Sequence, residues 1–333
     1  MRELMAFTNH FIQTFASKKD TFSAILGQEV AKKQLKSALI SNRHVLIHGP
    51  PGIGKTTLVK QVASLLPVVT DENGKEIAGS ERFIRVQGSP DLTAEDLLGD
   101  IDPLKALKFG PLSKEAFEPG KIFKAHNGIL FFDEVNRCSE KLQNALLQAL
   151  EEGFVTIGSY EVDLPAEFVF IGTINPHDNS TESLNEAFMD RFDVIEMSYP
   201  ETDAIERKIC LTNAKKLPVT FPEELLSFIV EYVRALRNPE KLSKYPSVRA
   251  TMGIYERASA NALIMGRDTV TLQDISETFS SVLAHRIELK PALKYAKSPE
   301  EFVKEEFLAL AKAHQLSVAD LESEKDTLDE QST

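Results

Sequence analysis

Apolar and polar positions fall in blocks along the first 200 residues. Four short apolar runs bounded by turn residues stand at HVLIHG (44–49), RFIRVQG (82–88), GILFFDE (128–134) and EFVFIGT (167–173), and VIEMSYP (194–200) is a weaker fifth. Helical patterns lie between them. This alternation predicts an α/β fold, a mostly parallel five-stranded sheet with helices on both faces. After Pro200 the strand-like runs stop. Residues 201–216, 222–237, 247–266 and 272–287 read as four helices, so a second, all-helical domain is expected over 199–290, beyond a core of 1–198. Residues 291–333 are expected to form a C-terminal helical extension ending in the polar, acidic stretch ESEKDTLDEQST, which composition marks as a disordered tail.

The first apolar run leads into VLIHGPPGIGKTTLV at 45–59. Two glycines, Gly49 and Gly54, frame a loop that ends in Lys55 and Thr56, the spacing of a phosphate-binding loop. Glycines let successive backbone N–H groups turn toward one anion, and the helix that follows adds its own unpaired N–H groups. Gly49, Pro50, Pro51, Gly52, Ile53, Gly54, Lys55, Thr56 and Thr57 make up the candidate phosphate-binding stretch, with the Thr56 hydroxyl a candidate Mg²⁺ ligand. In GILFFDE a buried strand runs into two acids at its carboxyl end, where an open α/β sheet places its ligands. Asp133 is placed to hold Mg²⁺ together with Thr56, and Glu134 to polarise an attacking water.

Further along, EFVFIGTINP (167–176) is another buried strand ending in a polar residue, Asn175. Taken alone Asn175 reads as a turn residue before Pro176; beside a phosphate loop it is placed to orient the same water or touch the terminal phosphate. Arg191, in Asp190-Arg191-Phe192-Asp193, is open to two readings, an ion pair with a flanking aspartate or a catalytic cation. Arg249, in SVRATMG, is a surface arginine by default.

Charge narrows the partners. Lys and Arg total 38 against 50 Asp and Glu, a net charge of −12, which argues against a general nucleic-acid or anionic-membrane binder. Cys138 and Cys210 make no metal or disulfide pattern, which suits a reducing compartment. The N-terminus lacks an apolar signal core, and no run approaches the roughly 18 apolar residues of a membrane span. A cytoplasmic protein is expected.

GPPGIGKT, FFDEVNR, FIGTINP, DRFD and SVRA, in this order and spacing, resemble an AAA+ ATPase. More narrowly, FEPGKIFKAHNGILFFDEVNR, NALLQALEEGFVTIG and VLAHRI resemble the MoxR ATPases and the ATPase subunit of magnesium chelatase. The match spans roughly residues 22–290. The resemblance implies ATP and Mg²⁺ as ligands, with Asp133 and Glu134 as Walker B, Asn175 as sensor 1 and the 199–290 domain as a helical lid. Gln28, in ILGQE, matches the box beside the adenine. Arg191 matches an arginine finger acting on the neighbouring subunit, Arg249 matches sensor 2, and Arg137 is a second candidate for a contact across that interface. A shared site implies a homo-oligomeric ring, usually a hexamer. The subgroup further implies a protein partner with a von Willebrand factor A domain, with metal insertion or complex maturation as the outcome.

Two segments match this subgroup's additions to the core, an insert in helix 2 at about 88–120 and a hairpin before sensor 1 at about 154–164, turning at Gly158-Ser159. In related helicases such elements grip DNA with basic side chains. Here the hairpin has no Lys or Arg, and residues 91–120 hold seven acids against three lysines. Nucleic-acid backbones need cations, so a nucleic-acid motor of the same clade is the disfavoured alternative.

Overall fold

The computed structural model of the chain describes residues 2–17, 20–70, 74–110, 113–157, 162–176 and 184–316. The Gly158-Ser159 turn and the acidic tail lie outside them. The chain divides into two units, Met1–Ser198 and Tyr199–Thr333.

The first unit is built on a five-stranded sheet of β1 (Val45–His48), β2 (Phe83–Gln87), β3 (Gly128–Asp133), β4 (Phe168–Ile174) and β5 (Asp193–Glu196). Their spatial order is β5-β1-β4-β3-β2, and every pairing is parallel. The apolar runs form strands because both of their faces are covered. All six residues of β3 are buried, as are the first six of β4. Phe132 and Phe170 stack between these two strands with ring centroids 5.8 Å apart. Burying each such ring contributes about 2 kcal/mol.

Register places the polar ends of the strands side by side. Ile47 lies opposite Thr173, Phe132 opposite Gly172, and Gln87 opposite Asp133. The carboxyl ends of β1, β2, β3 and β4 thus converge, and the chemistry predicted from separate runs meets at one edge.

The insert region folds as a helix, Ala94–Leu98, followed by an antiparallel pair of Gly99–Ile101 with Phe117–Pro119 that carries a second helix, Pro103–Phe109. Asp102 caps that second helix through the backbone N–H groups of Leu104 and Lys105, with proline at its first turn. Phe154–Ile157 pairs antiparallel with Val162–Pro165, the closing pair being Ile157 with Val162.

In the second unit, helices Asp203–Asn213, Glu223–Ala235 and Val248–Ile264 correspond to the first three helical patterns. The fourth pattern, 272–287, departs from expectation. It forms Leu272–Ser276, Phe279–Val282 and a 3₁₀ turn at Ala284–Arg286. The buried Thr278 explains the break. Its N–H and its hydroxyl both donate to the Ile275 carbonyl, at 3.1 and 2.7 Å, and so tighten the chain into a turn. Leu242–Lys244 and Glu288–Leu289 form a short antiparallel pair. Helix Pro299–Ala313 seats Phe302 and Phe307 in the same core as Tyr232 and Phe279.

Candidate active site

The loop between β1 and helix Lys55–Ala63 bends where side chains cannot go. Gly49 has φ +155°, and a Cβ there would stand 2.2 Å from the carbonyl oxygen of Met197. Gly54, at φ +100°, occupies the N-cap of the helix, and a Cβ on it would meet Ile25 Cδ1 at 2.9 Å. The ILGQE segment therefore packs on the loop directly. Gln28 stands in the left-handed region and binds the Ser198 backbone at both ends of its amide, donating to the carbonyl oxygen at 2.6 Å and accepting from the N–H at 3.4 Å. Thr57 is exposed on the first turn of the helix, and Pro50, Pro51, Gly52 and Ile53 form the body of the loop. Lys55 is buried, and its ammonium donates to the carbonyl oxygens of Gly49 at 2.6 Å and Pro50 at 2.8 Å. These bonds hold the cation inside the loop's own curve, where a phosphate cradled by the same loop would meet it.

Thr56 and Asp133 come from different runs and meet here. The Thr56 hydroxyl lies 3.1 Å from Asp133 Oδ1 and 3.3 Å from Oδ2. Asp133 is only 6% exposed, so its carboxylate needs partners. It accepts a 2.7 Å bond from the Thr173 hydroxyl and another 2.7 Å bond from Arg85 Nη2. A hydroxyl and a carboxylate are hard oxygen donors, the set that suits Mg²⁺, which uses few protein ligands and leaves the rest of its shell to phosphates and water. The residues present fit that ion. Among the described residues no cluster of three or more His, Cys, Asp or Glu offers a different metal centre.

Glu134 turns the chain out of β3 at φ +58°, a left-handed position that costs a residue with a side chain about 1 kcal/mol or more. Its N–H is held by the Thr173 hydroxyl at 2.9 Å. Its carboxylate receives Gln87 Nε2 at 3.2 Å and lies 3.3 Å from Arg137 Nη1. The side chain is one third exposed, and so open to a water molecule. Asn175 follows the end of β4, and its carbonyl oxygen accepts from the buried Asn136 at 3.1 Å.

Arg191 stands after helix Glu186–Met189 and pairs with Asp190 at 3.2 Å and with Glu151 at 3.1 Å. The other flanking aspartate, Asp193, is engaged by Arg43 at 2.8 Å. Arg249 belongs to the second unit, where it is exposed on the first turn of helix Val248–Ile264 behind the N-cap Ser247.

Sequence reasoning missed Arg85, Gln87, Thr173 and Asn136. A signal existed for the first two: RFIRVQG puts two long polar side chains at alternate positions of a strand otherwise meant for burial, so both project from one face. Thr173 sits two residues before Asn175 in GTINP, yet its role follows from lying opposite Ile47 of β1 with its hydroxyl within bonding distance of Asp133 and Glu134, which no local pattern encodes.

Residues 21–190 match the family model for magnesium chelatase, subunit ChlI, and residues 243–306 match that for the AAA lid domain. The Mycobacterium tuberculosis protein named chaperone MoxR1 is 30% identical over 308 residues, which cover 83% of this chain and 76% of that protein. The Arabidopsis thaliana magnesium-chelatase subunit ChlI-2 is 30% identical over 322 residues, covering 81% and 76%. Among solved structures, a mutant of Thermotoga maritima RuvB shares the fold at a TM-score of 0.50 and 20% identity, over 78% of this chain and 71% of that one. A phosphate loop closed on a strand-end aspartate and glutamate, with these matches over both units, makes the chain a member of the MoxR and magnesium-chelatase group of AAA+ ATPases.

Proposed function

We propose that the chain hydrolyses ATP at this loop and uses the cycle to remodel or mature a protein partner, working as a ring of identical subunits with six as the expected number. The observation that carries the reading is the meeting of Thr56 with Asp133 at 3.1 Å, beside a glutamate fixed in a left-handed turn. The loop and Lys55 bind and orient the phosphates, and Thr56 and Asp133 would hold Mg²⁺. Bound there, Mg²⁺ supplies charge neutralisation on the phosphate oxygens. Glu134, kept in place through Thr173, accepts the proton of the attacking water, and Asn175 orients that water or the terminal phosphate. Arg191 serves as the finger for the adjoining subunit and Arg249 as sensor 2. Phosphoryl transfer is catalysed mainly by such positioning and charge.

The names of the relatives support the second half of the proposal. A chaperone acts on another protein, and a chelatase subunit works within a larger assembly. A partner with a von Willebrand factor A domain fits the subgroup, with metal insertion as one outcome of the cycle. A nucleic-acid role gains no support from the insert, where Lys105 is taken up by Glu118 at 2.8 Å and Lys108 lies over the Phe109 ring.

Glu134→Gln tests the reading. The variant is expected to bind ATP as the parent does and to lose turnover by at least about a hundredfold, the scale of a general base. Phosphate release at the parental rate would refute the assignment.

A further inference from the structure

Strand β2 sends Arg85 and Gln87 to one face, directly beside the end of β3. Gln87 reaches Glu134, while Arg85 reaches Asp133. Arg85 Nη2 lies 2.7 Å from Asp133 Oδ2, donates to Gln87 Oε1 at 3.1 Å, and has its guanidinium carbon 5.9 Å from the centre of the Phe131 ring. The two partners of this ion pair differ in freedom. Asp133 is buried and held by Thr56 and Thr173, whereas Arg85 is 44% exposed on a long side chain.

That carboxylate is the one this site would use for a divalent cation. One negative charge cannot satisfy a guanidinium and a dication together, and like charges drawn to the same oxygens repel. A half-exposed arginine can move its charge into water at little cost, because solvent replaces the bond. From these contacts we infer that Arg85 is a tethered counter-cation that competes with Mg²⁺ for Asp133, and so sets the Mg²⁺ concentration at which the nucleotide site loads. Arg85 steadies the buried carboxylate in the absence of metal and lets go of it when the site fills. The inference rests on the reading of Asp133 as the metal carboxylate. It makes Arg85 a positioning residue and assigns it no contact with the reacting atoms.

The test is a Mg²⁺ titration of the full chain with a fluorescent, non-hydrolysable ATP analogue, read as the midpoint for metal-dependent binding. An ion pair with one half-exposed partner corresponds to a factor of about five in an equilibrium constant. Arg85→Ala is therefore expected to lower the Mg²⁺ midpoint about fivefold, and Arg85→Lys, which keeps the charge without the planar fork, by less. Without metal, Arg85→Ala should melt below the parent, and saturating Mg²⁺ with the analogue should close that gap. A midpoint unchanged or raised in Arg85→Ala overturns the inference.

Asp133→Asn separates its failure from that of the underlying reading. If Asp133→Asn loses the metal dependence while Arg85→Ala leaves the midpoint in place, the role of Arg85 alone falls. If Asp133→Asn keeps the parental midpoint, Asp133 is not the metal carboxylate and both readings fall.

Discussion

Thr173 has a single hydroxyl, and both of its bonds converge on the two acids proposed for metal binding and catalysis. It accepts from the N–H of Glu134 and donates to Asp133 Oδ1. Partners behind a metal ligand or base typically account for ten- to hundredfold in affinity or activity. Thr173→Val, which keeps the shape and removes both bonds, is expected to lower kcat by about that factor, and Thr173→Ser to restore most of it. Equal losses in the two variants, measured by steady-state phosphate release, would show that packing rather than the hydroxyl matters.

His44, at the base of β1, provides a pH-dependent contribution at the same scale. Burial lowers its pKa from 6.5 to about 4, and its Nδ1 accepts from the Phe170 N–H, a bond that requires an unprotonated nitrogen. The folded pKa lies below the unfolded one, so between these values the unfolded chain binds more protons. This residue's contribution is present above about pH 6.5 and is lost as pH falls toward 4. Denaturant unfolding at pH 7, 5 and 4 should show a smaller loss for His44→Gln than for the parent; parallel losses would remove His44 from the account.

At the scale of elements, the second unit encloses a charged knot. Glu206 is fully buried, accepts two 2.7 Å bonds from Arg237 and a third from Thr251, and Arg237 also donates to the Pro246 carbonyl at 3.0 Å. This ties helices Asp203–Asn213 and Val248–Ile264 to the segment that leaves helix Glu223–Ala235, around the turn that presents Arg249. Breaking a buried pair by removing one partner leaves an uncompensated charge, at a cost of about 3–5 kcal/mol. Arg237→Met and Glu206→Gln are each expected to destabilise by that order in denaturant unfolding, because either leaves the other side chain's charge buried without its partner. A loss under about 1 kcal/mol for Arg237→Met would mean that the knot holds nothing together.

Elements also show how far the sequence could be read. The five strands and the glycine-framed loop after β1 were legible because apolar runs ended in glycines and acids whose meaning is local. The break in 272–287 was not, since its apolar spacing is helical and only the burial of Thr278 turns its hydroxyl back on the chain. The partners of Arg85, Gln87 and Thr173 were illegible for a related reason. Their roles depend on which strands lie side by side, and on Gln87 standing opposite Asp133, facts that arise only when runs some 40 residues apart pair. Helix Pro299–Ala313 reads as an extension from its position, yet its aromatic side chains complete the second unit's core.

At the scale of the whole molecule, the proposed site draws its phosphate loop, metal pair and base from one chain, while Arg191 is engaged with Glu151 and Asp190. The proposed ring turns that arrangement into a dependence on neighbours, since a cation from an adjoining copy completes the neutralisation of the terminal phosphate. The net charge of −12 suits a protein partner better than a nucleic-acid track.

The most direct measurement mixes two inactive variants. Lys55→Ala removes the loop's cation from its own site, and Arg191→Ala removes the finger offered to the next. Each alone should be nearly inactive in phosphate release, Arg191→Ala with ATP binding intact. When the two are mixed at equal concentration and allowed to exchange, sites with a sound loop and a sound neighbouring arginine arise, and about a quarter of parental activity is expected from random pairing in rings whose sites depend on one neighbour each. A mixture no more active than its two components would contradict the shared site, and with it the ring on which the proposed work on a partner depends.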